Sequence, residues 1–435
     1  MFRYVNKLQW LSSLRRGITT HTNIHDYDVV ITGGGLMGCS SAYHLMSHDP
    51  SLRVCIVEKD PTYTRASSAL SFAGIRHQYS VVENIRLSTY SVNFLKNIKS
   101  LLQIPGEDPP DVQFKEQGYL LLADEYSAGV MEENHKLHRD HGASVELLSP
   151  NQIQTKFPYI NTDGIALGSF GYRNEGWFDP WSLLMSFKKM AQHLGADYLH
   201  GEISNLACDR NKITSVEVTN GPEPVNLGCK WLVNAAGAWA EGICQMAGIG
   251  DPTHPDPRMH WGLPVKPRKR MLFPFRCSTL PYSNLRDCPV VIDYTGTYFR
   301  PEGQGDLFLT GFAPPEDEDP DGFDFEVDHA YFEEKIWENL AHRVPMFESI
   351  KLQNSWAGLY EYNTLDQNAI LGPHPVITNL LFVNGFSGHG VQQSTAAGRV
   401  ISDIVLHGST DVIDINRMSF QRVIDQKPLQ EKCVY

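Results

Sequence analysis

No two of the eight cysteines, at 39, 55, 208, 229, 244, 277, 288 and 433, stand at a C-x-x-C spacing. That argues against a zinc ribbon or a redox dithiol and suits buried free thiols in a reducing compartment; no metal site is expected. Net positive charge is missing too. Acidic side chains number 50 against 37 basic ones, a formal balance of −13. A general nucleic-acid binder works by neutralising phosphates, so no nucleic-acid partner is expected. Long apolar runs are also lacking. The nearest, 29–48, has no Asp, Glu, Lys or Arg, but it holds four glycines, three serines and two histidines. It reads as strand, turn and helix, since a spanning helix needs about 20 mainly apolar residues. Neither an internal repeat nor a heptad pattern is present. What remains is globular in composition, 42% hydrophobic and 20% charged, and 435 residues suffice for two or three domains.

One absence is local. Residues 1–25 contain no Asp or Glu and carry Arg3, Lys7, Arg15 and Arg16 among Phe2, Tyr4, Leu8, Trp10, Leu11 and Leu14. On a helix, positions 4, 8, 11 and 15 share a face. A basic, acid-free, amphipathic leader with Ser and Thr is expected to be a mitochondrial transit peptide that is removed after import. Fold reasoning therefore starts near Asp26.

The strongest motif follows. Tyr27–Thr32 is a short apolar run, as in a buried parallel strand. Gly33, Gly35 and Gly38 then fall at G-x-G-x-x-G positions, a helical stretch follows, and Arg53–Val57 is a second strand ending in Glu58. Gly33 permits the tight turn, Gly35 lets the backbone approach a pyrophosphate, and Gly38 lets helix and strand pack closely. The helix N-terminus offers free N–H groups to phosphates. Glu58, 20 residues after Gly38, is placed to bind ribose hydroxyls, and an acid there disfavours NADP.

Two later segments repeat the theme. Trp231–Ala235 is strand-like and runs into Ala236, Gly237, Ala238 and Trp239, then into a helix expected to stop at Gly248. Leu380–Asn384 is a strand, Gly385–Gly390 a glycine-rich turn, and Val391 to about Leu406 a helix. A second helix N-terminus suits a flavin, whose reduced anion it can stabilise.

Together these segments resemble the D-amino-acid oxidase and sarcosine–dimethylglycine dehydrogenase family of FAD enzymes over about residues 26–410. The carrying motifs are GGGLMG at 33–38 with Glu58, Ser67-Ser68-Ala69 through Ala73-Gly74-Ile75-Arg76, Ala236–Trp239, Trp356–Leu359 with Thr364-Leu365-Asp366, and GFSGHGVQQS at 385–394. The resemblance implies an α/β fold in which a Rossmann-like FAD domain (26–108, 176–248 and 355–410) interleaves with an antiparallel-sheet substrate domain (109–175 and 249–354), followed by a tail at 411–435. It implies one FAD held by Gly33, Gly35, Gly38, Glu58, Lys59, Ser67, Ser68, Gly74, Ala236, Gly237, Trp239, Gly358, Gly385, Gly388, Gly390 and Gln392. It also implies a small amine or amino-acid substrate. Segments 174–181, 267–270, 298–300 and 361–368, with the leader, are similar to a mitochondrial branch of the family associated with assembly of respiratory complex I. That branch implies complex I subunits or assembly intermediates as partners and a peripheral place on the matrix side of the inner membrane.

For chemistry, an amine oxidase needs a carboxylate clamp and orientation more than acid–base groups. Arg76, in Ile75-Arg76-His77-Gln78-Tyr79, matches the sarcosine oxidase segment that binds a substrate carboxylate; a structural salt bridge to Glu83 or another acid is the other reading. His389, in the Gly388-His389-Gly390 loop, is a candidate flavin contact or acid–base group. Trp177, Trp181 and Tyr298 could wall a site or simply fill the core. The departures count as well. Ser71 stands where relatives attach flavin through histidine, and Gly358 near where others use cysteine, so FAD should be non-covalent. Gln392 replaces a carboxylate-binding lysine, and Phe308–Thr310 lacks the oxygen-activating one. A dehydrogenase is therefore expected over an oxidase. The stretch 313–328, with eight acids and three prolines, reads as a surface loop.

Overall fold

The computed structural model describes residues 25–278, 283–303 and 305–432. The expected leader lies outside these apart from His25, as does Cys433. The seven described cysteines are free thiols.

The first strand, His25–Thr32, is the centre of the first sheet. Parallel strands run in the order Leu380–Asn384, Val225–Asn234, His25–Thr32, Val54–Glu58, Asp197–His200. Ile370–Pro373 adds antiparallel at one edge, and the hairpin Glu202–Asp209 and Lys212–Thr219 extends from Val225–Asn234. Val29, Val30 and Ile31 are wholly buried, because a parallel sheet is covered on both faces and its strands need apolar side chains on both. One cover is the helix Leu36–His48, which packs on the long helix Gly390–His407. A Cβ on Gly398 would stand 2.2 Å from Ser40 Oγ and 2.6 Å from the Ser40 carbonyl carbon. That glycine lets the two helices cross closely, which brings their N-termini together.

The second sheet has nine strands and is mainly antiparallel. Val290–Ile292, Thr297–Pro301 and Leu307–Phe312 form the antiparallel run expected from residues 290–312. The long strand Val265–Arg276 pairs with both Leu307–Phe312 and Trp356–Asn363. The expected boundary at 355 gives Trp356–Asn363 to the dinucleotide part. The structure differs: eight register pairs, from Val265 opposite Asn363 to Leu272 opposite Trp356, tie that strand to the second sheet. The chain rejoins the first sheet at Ile370.

Local stop and start signals match their physical reading. Ser149 and Gln152 form a reciprocal capping box, and Asp179 accepts from the Trp181 N–H ahead of the helix Pro180–His193. Gly248 closes the helix Ala240–Met246 with φ +74°.

Two stretches are more ordered than their composition suggests. Residues 411–432 are a docked segment where a tail was expected. Phe420 is buried against Phe382, and Arg422 is buried on Asp366. The acidic stretch 313–328 folds back on the basic run of the long strand, where a plain surface loop was expected. Asp319 is buried between Arg268 and Arg270, Asp321 reaches Arg268, and Asp324 reaches Lys269. The facing cations pair with these three of its eight acids and anchor it. Among the described residues no helix is long and apolar enough to cross a membrane.

Candidate active site

A cavity of about 730 Å³ lies between the two sheets, with walls from both. At one end is the turn after His25–Thr32. Gly33 has φ +96°, and a Cβ there would lie 2.3 Å from the Ala235 carbonyl oxygen. A Cβ on Gly38 would lie 1.9 Å from the Gly33 carbonyl oxygen. Both positions require glycine. Gly35 differs: its nearest heavy atom would be Ser68 Oγ at 3.4 Å, so the space beside it belongs to the cavity. The helix Leu36–His48 starts there without a side-chain cap from Gly35, and Leu36 N–H donates to Ser68 Oγ at 3.2 Å. The positive end of that helix thus borders the cavity through Leu36 and Met37.

The second long helix arrives opposite. His389 precedes it without a side-chain cap, Gly390 and Val391 line the cavity, and a Cβ on Gly390 would be 3.1 Å from Met37 Cε. Glu58 borders the same space. Its Oε2 accepts the Gly34 N–H at 2.6 Å and its Oε1 the Asp60 N–H at 2.7 Å. A carboxylate has about four acceptor sites, so lone pairs remain for a ribose. Burial raises its pKa, opposed by those two N–H groups.

These features fit an FAD. The glycine cradle and first helix end would take the pyrophosphate, Glu58 a ribose, and the second helix end the flavin ring. Of the residues expected to bind it, Gly33, Gly35, Glu58, Lys59, Ser67, Ser68, Ala236, Gly237, Trp239, Gly358, Gly388 and Gly390 line the cavity. Gly38, Gly74, Gly385 and Gln392 do not. Gly38 serves the helix crossing over Gly33. Gly74 lies beneath the Tyr119 ring, and Gly385 packs toward Val265 and Asn363. Gln392 Oε1 accepts the backbone N–H of Arg76 at 2.9 Å.

Arg76 and His389 sit together behind the wall. Arg76 is buried, its guanidinium carbon 4.9 Å from the centre of the Tyr79 ring and 5.6 Å from that of Tyr119. Glu83, the alternative partner considered for it, pairs instead with Arg417. His389 lies edge-on to Tyr79, with centroids 5.1 Å apart. Burial first, and then the Arg76 charge, push it down to about 3, so the imidazole is neutral at physiological pH. Of the three aromatics weighed as walls, Tyr298 lines the cavity. Trp177 is buried beneath Arg300, and Trp181 is exposed beside Tyr63.

Sequence reasoning weighed Tyr298 and missed its neighbours at that end of the cavity. Phe72, Arg270, Leu272 and Tyr360 line the cavity with it, and so does Glu361, near Gly390. Arg270 could be found only by knowing that the long strand turns that position inward. Glu361 carries a buried Oε2 without a hydrogen-bond partner among the described residues. Burial drives its pKa up to about 8, against the Gly385 and Phe386 N–H groups. The folded protein therefore keeps a proton that the unfolded chain releases above about pH 4.5. Stability should fall as pH rises from about 4.5 to 8, by up to about 1.4 kcal/mol per pH unit from this group, and level off above. Urea melts across that range should show a shallower decline for Glu361→Gln than for wild type; parallel curves would contradict it.

The comparisons agree with this geometry. The family described as DAO, FAD dependent oxidoreductase, matches residues 28–404. The "FAD-dependent oxidoreductase domain-containing protein 1" of Xenopus laevis is 45% identical over 94% of this chain and 84% of its own length. Its namesake from Bos taurus is 42% identical over 96% and 88%. Among solved structures, L-proline dehydrogenase from P. horikoshii superimposes with a TM-score of 0.79, at 21% identity, covering 93% of this chain and all of that one.

Proposed function

The chain belongs to the DAO family of FAD-dependent oxidoreductases, and from that premise we propose that it is a dehydrogenase of a small amino acid or N-methyl amino acid. The observation that carries this reading is the cavity itself, whose lining includes both Gly33 and Gly35 of the glycine turn and Phe72, Arg270, Leu272, Tyr298 and Tyr360, which we take as the substrate compartment. Bound FAD supplies the electron sink. The chain's part is to orient the substrate and shield it from water. Tyr298, Leu272 and Phe72 provide the apolar walls. No strongly basic side chain is needed if the amine arrives neutral. The neutral His389 lies beside the compartment and adds no charge of its own there. With Ser71 and Gly358 where relatives form covalent links, FAD is held by contacts alone.

Oxygen should be a poor acceptor. Its reaction with reduced flavin passes through superoxide, which a nearby unpaired cation would stabilise. Leu309 is buried in the apolar core and carries no charge. Among the described residues at this end of the cavity the lining cation is Arg270, and its guanidinium is engaged by Asp319 through hydrogen bonds of 2.6 and 2.7 Å. Stopped-flow reoxidation of the dithionite-reduced protein in air should give a second-order constant well below about 10⁵ M⁻¹s⁻¹, the low end of ordinary encounter rates. A value at or above that makes the protein an oxidase.

The proposal extends to place and role: import into mitochondria through residues 1–25, peripheral residence on the matrix side of the inner membrane, and service in complex I assembly. Its support is the acid-free basic leader and the resemblance of segments 174–181, 267–270, 298–300 and 361–368. A reporter fused to residues 1–25 should enter mitochondria, and cells lacking the protein should accumulate incomplete complex I. Cytosolic reporter, or normal complex I in those cells, would oppose the corresponding part. A second reading, in which FAD serves structure alone, is favoured by the lysines missing at Gln392 and Leu309.

A further inference from the structure

The folded-back acidic stretch touches both halves of the molecule. Asp319 is buried on Arg270 through hydrogen bonds of 2.6 and 2.7 Å, and the Gly322 N–H donates to the Pro267 carbonyl oxygen at 2.9 Å. Asp324 pairs with Lys269, whose Nζ also donates to the Glu326 carbonyl oxygen at 3.1 Å. These contacts fix residues 319–326 to the long strand Val265–Arg276 of the second sheet. Two aromatic side chains within the segment meet the other half. The Phe323 ring stacks on Trp239, with centroids 5.4 Å apart and planes 29° apart. The Arg65 guanidinium lies over the Phe325 ring, 5.4 Å from its centroid. Trp239 and Arg65 both line the cavity.

Their positions in the first sheet give the contacts a meaning. Trp239 follows the strand Val225–Asn234, and Arg65 follows Val54–Glu58. These two strands flank His25–Thr32 on either side, and all three run parallel. The turn Gly33–Gly38 leaves from the middle strand. It therefore lies between the connection that carries Trp239 and the one that carries Arg65. Neighbouring strands are about 5 Å apart, so the two outer ends stand about 10 Å apart. Phe323 and Phe325 are two residues apart, at most about 7 Å along the chain, and their rings make up the rest. One short piece of the second sheet's loop thus bridges the two rims of the crevice in which the pyrophosphate would sit. Core packing does not explain Phe323, which is 56% exposed.

We propose that residues 319–326 form a clasp across the pyrophosphate end of the cavity, which opens to admit FAD and slows its escape once bound. Asp319 is the anchor, and Phe323 and Phe325 are the catch. The clasp needs only FAD in the cavity, and it holds whether or not the protein oxidises an amino acid.

The test is the rate at which FAD leaves the loaded protein. Diluted holoprotein is passed through a centrifugal filter at timed intervals, and the flavin in the filtrate is read by its absorbance. Phe323→Ala combined with Phe325→Ala should speed release at least about tenfold, as expected from losing one aromatic stack and one cation–π contact. Rebinding of FAD to the apoprotein should be as fast as in wild type or faster, because a clasp obstructs passage in both directions. Asp324→Ala removes the half-exposed tie between the two rings and should speed release severalfold. If the double variant does not fold, the Asp324→Ala result decides. A purely structural strap would lower the melting temperature of the flavin-free variants and leave the release rate unchanged. Unchanged release therefore overturns the proposal. Rebinding slowed as much as release is accelerated would also overturn it, since the rings would then shape the FAD site rather than gate it.

Discussion

Gly35→Val should yield a folded protein without flavin. The backbone at Gly35 is extended, with φ −69° and ψ −169°, which any residue adopts. A Cβ there meets only Ser68 Oγ, at an ordinary 3.4 Å. The valine methyl groups would point into the space that a pyrophosphate needs, at the end of the helix whose N–H groups receive it. The chain therefore tolerates the change and the ligand does not. We expect affinity for FAD to drop at least about a thousandfold, roughly 4 kcal/mol, while the flavin-free melting curve stays close to that of wild-type apoprotein. The ratio of flavin to protein absorbance after desalting reads the first, and thermal melts with and without added FAD read the second. Gly33→Val is the contrasting control. With φ +96° and the Ala235 oxygen 2.3 Å from the new Cβ, it should damage folding itself. A Gly35→Val protein that retains full flavin would place the pyrophosphate elsewhere.

Asp366→Ala should cost about 3–5 kcal/mol in a urea melt, the usual range for removing one partner of a buried ion pair. Asp366 is fully buried and Arg422 nearly so. The carboxylate takes Arg422 Nε at 2.7 Å and Nη2 at 3.1 Å, the Leu429 N–H at 2.9 Å, Asn363 Nδ2 at 2.9 Å and the Asn368 N–H at 3.1 Å. Removing it strands a buried guanidinium and frees several donors. The loss reaches the site, because Asn363 also receives its backbone contact from the loop before the second helix: its N–H donates to Ser387 Oγ at 2.9 Å. Proteolysis should then clip the chain between 411 and 432 while wild type resists. A change under about 1 kcal/mol with an unclipped C-terminal segment would mean that this pair is not the anchor.

These two cases mark how far the sequence can be read. Gly33, Gly35 and Gly38 were legible because the chemistry of a phosphate turn is local: a strand, three glycines, a helix and an acid within about 30 residues. The caps at Ser149 and Asp179 were legible for the same reason. Asp366 showed itself only as part of a resemblance, since its partner stands 56 residues on, in a stretch whose composition suggested a tail. The inward turn of Arg270 depends on strand register against Gly358, 88 positions away, and composition does not encode it. The acidic stretch looked solvated because the cations that anchor it lie on another strand. His389 was singled out for its titration range, which burial removes.

The central claim is that the cavity binds FAD for the oxidation of a small amino acid. The most direct measurement mixes the purified flavoprotein anaerobically with a panel of free and N-methylated amino acids and follows the flavin absorbance near its visible maximum. The account predicts that at least one member bleaches the flavin. A flavin that no amino acid or amine reduces, and that only dithionite bleaches, would contradict it.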